Sequence, residues 1–288
     1  MQILANGLIQ GLLLSIVSLG FALVYNSTGI FHIAQGAIFA LSPFILWTVM
    51  KYDLNWFFGV MFAVFIPMVL SIFKEVINHW PLQKRGASKE IHLISSLGIY
   101  IVIIQLVAVI WGNETKVLRA GIDETFTFGE VIITRSQLLG AIMSILLLVG
   151  FLIWIKRTHI GLKLHALSDN PVQLSLMGYN IRGIRILVFA LSGLFTATAA
   201  MLTAIDVGFD PHGGLIAVLI AMVATIIGGR GSFIGPVAGA IILGIVRAQV
   251  TWHTSARWEE AATFLILVLF LFFRPKGIFG RVGRVETQ

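Results

Sequence analysis

The chain has 288 residues, 58% of them hydrophobic and only 11% charged, and its 20 Lys+Arg against 13 Asp+Glu leave a net charge of +7. An average soluble domain carries about 25% charged residues, and the few present here sit in short strips between long apolar runs. That excludes a soluble enzyme, a disordered tail and a nucleic-acid-binding module, and makes the positive balance a signal of membrane orientation instead.

The first apolar run, residues 3–25, is too long for a signal-peptide core and has no basic residue before Lys51. It predicts a retained span with its N-terminus outside. Further apolar runs follow at 31–50, 56–73, 91–111, 137–155, 186–205, 215–228, 236–252 and 261–273. None alternates as a barrel strand would, and a crossing helix satisfies its own backbone. The predicted fold class is therefore all-α, a polytopic transmembrane bundle forming a single domain over 1–288.

Thirteen of the twenty positive charges fall in three stretches, 74–89, 156–185 and 274–284. The first holds Lys74, Lys84, Arg85 and Lys89; the second Lys156, Arg157, Lys163, Arg182 and Arg185; the third Arg274, Lys276, Arg281 and Arg284. They mark the cytoplasmic side. Stretches 51–55, 112–136, 206–214 and 253–260 then lie opposite, which gives nine passes in the inner or plasma membrane, with the C-terminus cytoplasmic.

Two irregular segments leave eight or ten passes open. Residues 26–36 read NSTGIFHIAQG, and residues 228–236 read GGRGSFIGP. Broken helices at membrane depth are tolerated where their backbone is buried in protein or lines a cavity, and in transporters they mark the path. Two short cytoplasmic turns would read the same way. Small residues predict close helix contacts: Ser192, Thr196, Ala200 and Ala204 share one face, Gly7 pairs with Gly11, and Gly235 with Gly239.

Several chemistries are absent. There is no cysteine and no phosphate-cradling G-x-x-x-x-G-K-[ST] loop, and none of the seven histidines stands four residues from another, which argues against a metal site. No carboxylate lies mid-span: Asp53, Asp123, Asp206, Asp210, Glu259 and Glu260 fall in loops or at helix ends. A proton-coupled carrier normally buries one. His32 and Gln35 are the polar pair at membrane depth, either lining a path or joined to neighbouring helices. Asn6, Gln10 and Ser18 share a face of the first span in the same way.

Residues 157–185, RTHIGLKLHALSDNPVQLSLMGYNIRGIR, are too polar to span and too long for a simple turn. They predict a short helix at 171–177, capped by Asp169 or Asn170, opened by Pro171 and stopped by Gly178. Its apolar Val172, Leu174, Leu176 and Met177 need a cover. That cover is a soluble subunit, the lipid interface or the bundle itself.

With Thr158, Gly161, Ala166, Leu176, Met177, Gly178 and Asn180 in register, this loop resembles the coupling loop of the branched-chain amino-acid permeases of ABC transporters, the LivH/LivM type. It departs from that pattern at His165, at Val172, Gln173 and Leu174, and at Tyr179. Segment 29–44 is similar to the same family, with Gln35 at its histidine position. Segments 226–244 and 271–281 match its G-G-x-G-S-x-x-G-P-x-x-G-A and R-P-x-G-L-F-G elements.

The resemblance implies an importer's membrane subunit that breaks no covalent bond. It implies a second permease subunit, two cytoplasmic ABC ATPase subunits that carry the ATP and magnesium, and an extracytoplasmic solute-binding protein. No cofactor is expected on this chain. Gly161, Ala166, Asp169, Asn170, Pro171, Leu174, Leu176, Met177 and Gly178 would form the coupling element. Neutral polar groups at the broken helices suggest a path through Gln10, Asn26, His32, Gln35 and Ser42 and the backbone of Gly228, Gly229 and Gly231. The expected substrate is a branched-chain or other hydrophobic amino acid, ahead of urea or a short amide. A stand-alone secondary carrier or channel is the competing class.

Overall fold

The structure is a computed structural model that describes residues 1–118, 121, 123–229 and 231–280. Of the motif residues above, Arg230, Arg281 and Arg284 lie outside the described residues. The chain runs α1 (Gln2–Thr28), α2 (Gln35–Lys51), α3 (Trp56–Lys74), a π-helical turn (Glu75–His79), α4 (Trp80–Lys84) and α5 (Lys89–Trp111). A hairpin of β1 (Thr125–Phe128) and β2 (Val131–Thr134) precedes α6 (Arg135–Arg157), α7 (His159–Asp169) and α8 (Pro171–Leu176). Then come α9 (Ile181–Val207), α10 (Gly213–Gly228), α11 (Gly235–His253) and α12 (Glu259–Phe273).

Each of the nine expected spans falls on a helix, and the bundle is a multi-pass membrane protein. Among the described residues, six helical stretches are long and apolar enough to cross a membrane, with α3 to α4 counting as one. Helices α2, α10 and α12, at 17, 16 and 15 residues, are shorter. Phe57, Phe65, Ile94, Val102 and Leu146 on α3, α5 and α6 point outward, as a lipid-facing surface requires.

The core is built around α1, which packs on α6, α9, α10 and α11. Ile16, Leu19, Ala22, Leu23 and Val24 are fully buried along it. Lipid supplies no hydrophobic drive between helices, so contact depends on backbones coming close. The expected glycine pairs do this. A Cβ at Gly7 would lie 2.8 Å from the Ile245 Cα, and one at Gly11 would lie 2.9 Å from the Ile241 Cα, both on α11. Gly239 packs on Ala224 and Gly228 of α10. Ser192, Thr196, Ala200 and Ala204 form one buried face of α9.

Three boundaries differ from the sequence expectation. Helix continues through residues 74–84, past the expected end of the third span at Phe73, with Lys74, Glu75 and His79 buried. Their partners make that burial tolerable: the Lys74 Nζ donates to the Ala34 carbonyl at 2.9 Å, and Glu75 receives Arg185 at 2.5 and 3.1 Å. Helix α9 begins at Ile181, so Arg182 and Arg185 belong to a spanning helix rather than to the loop. The loop itself contains α7, which the sequence did not mark; its Leu164 and Leu167 are buried against the bundle.

One end of the bundle gathers the end of α1, helix α4, helices α7 and α8 and the start of α9. The tail from Ile278 pairs with the end of α10 through Ile278 N–Ile227 O and Phe279 N–Gly228 O bonds. The opposite end holds the hairpin, which Gln2 binds through Ile132, and a Lys116–Phe209 bridge.

Candidate functional site

Between α1, α2, α9, α10, α11 and α12 lies a cavity of about 440 Å³. Its body is apolar: Leu13, Leu14, Val17, Phe39, Pro43, Ile216 and Ile220. Its polar groups are Gln10, Thr203, Asp206, Asp210, Arg247 and Glu259. Arg247 donates to Glu259 at 2.6 Å, and Glu259 also accepts the Thr251 hydroxyl. Asp210 accepts the backbone N–H groups of His212 and Gly213 at 2.8 and 3.0 Å, an arrangement that starts α10. The result is an apolar hollow bounded by fixed charges of both signs.

A second cleft, of about 570 Å³, opens at the other end among Ser27, Thr28, Trp80, Gln83, Leu167, Pro171, Tyr179, Arg182 and Arg185. Lys84, Arg182 and Arg185 stack on Trp80, 5.6, 5.9 and 5.8 Å from its ring centre. Helix α8 forms one lip. The Asn170 Oδ1 accepts the Val172 and Gln173 N–H groups at 3.0 and 3.1 Å, and Gly178 ends the turn at φ +82°. Val172, Leu176 and Met177 are 66, 83 and 75% exposed, an apolar knob beyond the bundle end.

A family model described as branched-chain amino acid transport system / permease component matches residues 3–273. The chain belongs to this permease family. It is 27% identical to the high-affinity branched-chain amino acid transport system permease protein BraD of Pseudomonas aeruginosa, over 98% of this chain and 96% of that one. It is 25% identical to LivH of Escherichia coli K12, over 98% and 96%, and 24% identical to the probable LivH of Methanocaldococcus jannaschii, over 97% and 92%. The fold is also similar to PsaBC from Streptococcus pneumoniae, solved in complex with Fab, with a TM-score of 0.51, 15% identity and coverage of 96% and 93%. A permease component is one part of a transport assembly and is not itself an enzyme.

Within this permease the expected path residues do not gather in one place. Gln10 lines the cavity. Asn26 instead holds Gly231 and Ser232, donating to the Ser232 carbonyl and accepting from the Gly231 N–H, both at 3.1 Å. Gln35 donates to the Thr196 hydroxyl at 2.5 Å, and Ser42 lies between the carbonyls of Ala63 and Ala197 at 2.7 and 3.0 Å. Gly228 packs on Gly235, and Gly229 on Gly277 and Gly280, so the end of α10 is held against the start of α11 and the tail. His32 Nδ1 lies 3.0 Å from His79 Nε2, whose Nδ1 lies 3.2 Å from His92 Nδ1. Buried polar groups at membrane depth need such partners, and these partners come from distant parts of the chain. The histidines form a chain rather than a cage: among the described residues no group is placed to hold a metal.

The coupling residues divide between two helices. Gly161 packs on the Ile155 carbonyl where no side chain fits, Ala166 packs against the core, and Asp169 ends α7 rather than capping α8. Leu174, expected outside with its neighbours, is buried because a six-residue helix must anchor one side to the bundle. The sequence reading missed Arg247. The signal was there: a single cation inside the apolar run 236–252, a pattern that marks function by default in membranes.

Proposed function

We propose that this permease is the membrane subunit of an ATP-driven importer of branched-chain amino acids. The carrying observation is the 440 Å³ cavity, whose apolar body suits a branched side chain and whose charged groups suit a zwitterion. Urea would find few partners along the aliphatic walls. In this reading the end bearing α8 is cytoplasmic, the N-terminus is outside, and the substrate arrives from an extracytoplasmic solute-binding protein. A second permease subunit completes the path. Two cytoplasmic ATPase subunits bind ATP and magnesium and receive the knob of Val172, Leu176 and Met177. Closure of the ATPases would move α8 and, through α7 and α9, shift the bundle between outward- and inward-open states.

The test is leucine uptake by the assembled complex in proteoliposomes containing ATP. Leu176→Asp combined with Met177→Asp should lower uptake at least tenfold, because each change puts an unpaired carboxylate into an apolar contact. Both side chains are largely exposed in the permease, so its melting temperature should stay the same. Wild-type uptake by the double variant would exclude α8 as the coupling contact. Uptake by the permease alone on an ion gradient would exclude the importer class.

A further inference from the structure

Arg247 is held at the cavity by one arm only. Its Nη2 donates to the Glu259 Oε2 at 2.6 Å, and the second oxygen of Glu259 is occupied by Thr251. The other terminal nitrogen, Nη1, is buried and has no hydrogen-bond partner. The side chain is 18% exposed, so water does not fully solvate the guanidinium. A buried guanidinium N–H left unmade is costly, and the planar fork matches a carboxylate better than any other small group. Asp210 in the same cavity wall supplies the opposite charge, and Leu13, Leu14 and Ile220 supply the apolar surface.

We propose that Arg247 binds the α-carboxylate of the amino acid in the cavity and so sets the permease's preference for acids over amides and amines. This rests on the transport reading above. The Glu259–Thr251 pair acts as the positioning element, fixing one edge of the guanidinium so that the other edge meets the ligand. The neighbouring Asp210 carboxylate would receive the ammonium, so the whole zwitterion is matched and neither charge enters the apolar body bare.

The experiment uses the complete nucleotide-free complex in nanodiscs, without the solute-binding protein, so that only the membrane site is read. Tritiated leucine is the probe, with leucinamide and 4-methylvalerate as competitors. The wild type should bind leucine at least tenfold more tightly than leucinamide. Arg247→Gln should lose about tenfold to a hundredfold in leucine affinity, as expected for a charged hydrogen bond, while leucinamide changes less than threefold. Arg247→Lys, which keeps the charge but not the fork, should fall between them. An unchanged leucine-to-leucinamide ratio in Arg247→Gln overturns the assignment. A wild-type complex that binds no leucine overturns the substrate reading, and this inference with it.

A second measurement avoids the variants. Phenylglyoxal modification of Arg247 in the wild-type complex, mapped by mass spectrometry, should be slowed by leucine and not by leucinamide. Equal protection by both, or by neither, overturns the proposal.

Discussion

Gly244→Val is expected to prevent the permease from assembling as a stable bundle. Gly244 faces Gly7 and Gly11 where α11 crosses α1, and a Cβ there would lie 2.5 Å from the Gly11 nitrogen and 2.6 Å from the Gly7 carbonyl oxygen. The atoms it meets belong to backbone, so no rotamer change relieves the clash and the two helices must separate. Overpacking a side-chain core costs about 1–3 kcal/mol, and a backbone-on-backbone seam should cost at least the upper end of that. Helix α1 is the centre of the structure, so loss of this seam reaches α9 and α10 as well. The measurement is the yield of monodisperse protein and its melting temperature in detergent. Gly150→Val is the control: Gly150 lies on the exposed face of α6, a Cβ there meets nothing within 4 Å, and no change is expected. Equal behaviour of the two variants would refute the seam.

Arg185→Met is expected to destabilise the permease by about 3–5 kcal/mol, the usual penalty for leaving one member of a buried ion pair alone. Arg185 and Glu75 are 5 and 1% exposed and meet through two hydrogen bonds. The pair joins the π-helical turn to the first turns of α9, just beyond the helix proposed to dock the ATPase. The double variant Glu75→Met/Arg185→Met removes both charges and should recover most of the loss, since an apolar pair of similar volume often matches a buried ion pair. A double-mutant cycle on melting temperature reads the coupling directly. If the double variant is as unstable as Arg185→Met, the stacking of Arg185 on Trp80 carries the effect, and the ion-pair account is wrong.

The apolar runs and the short helix after Asn170 were legible in the sequence for local reasons. A span is determined by the length of its own hydrophobic segment, and Asn170, Pro171 and Gly178 act on backbone groups within a turn of themselves. The burial of charged residues in 74–84 was not legible for the opposite reason. A buried lysine or glutamate is tolerated only where a partner exists, and the partners here are Ala34 and Arg185, 40 and 110 positions away. The path residues follow the same logic. A neutral polar side chain at membrane depth lines water or bonds to a neighbour; Gln35 and Ser42 bond to other helices, and Asn26 bonds Gly231 and Ser232 between α10 and α11.

The amino-acid sequence alone therefore determined the membrane class, the order of apolar helices and the capped α8, because each depends on hydrophobicity or backbone conformation within one segment. Only the tertiary structure decided which polar groups are satisfied and which remain available. It set the Glu75–Arg185 pair in the interior, linked His32 to His79 and His92, and brought Arg247, Asp210 and Gln10 to one cavity. The physical reason is that the cost of burying a polar atom depends on what lies opposite it, and that is a property of packing.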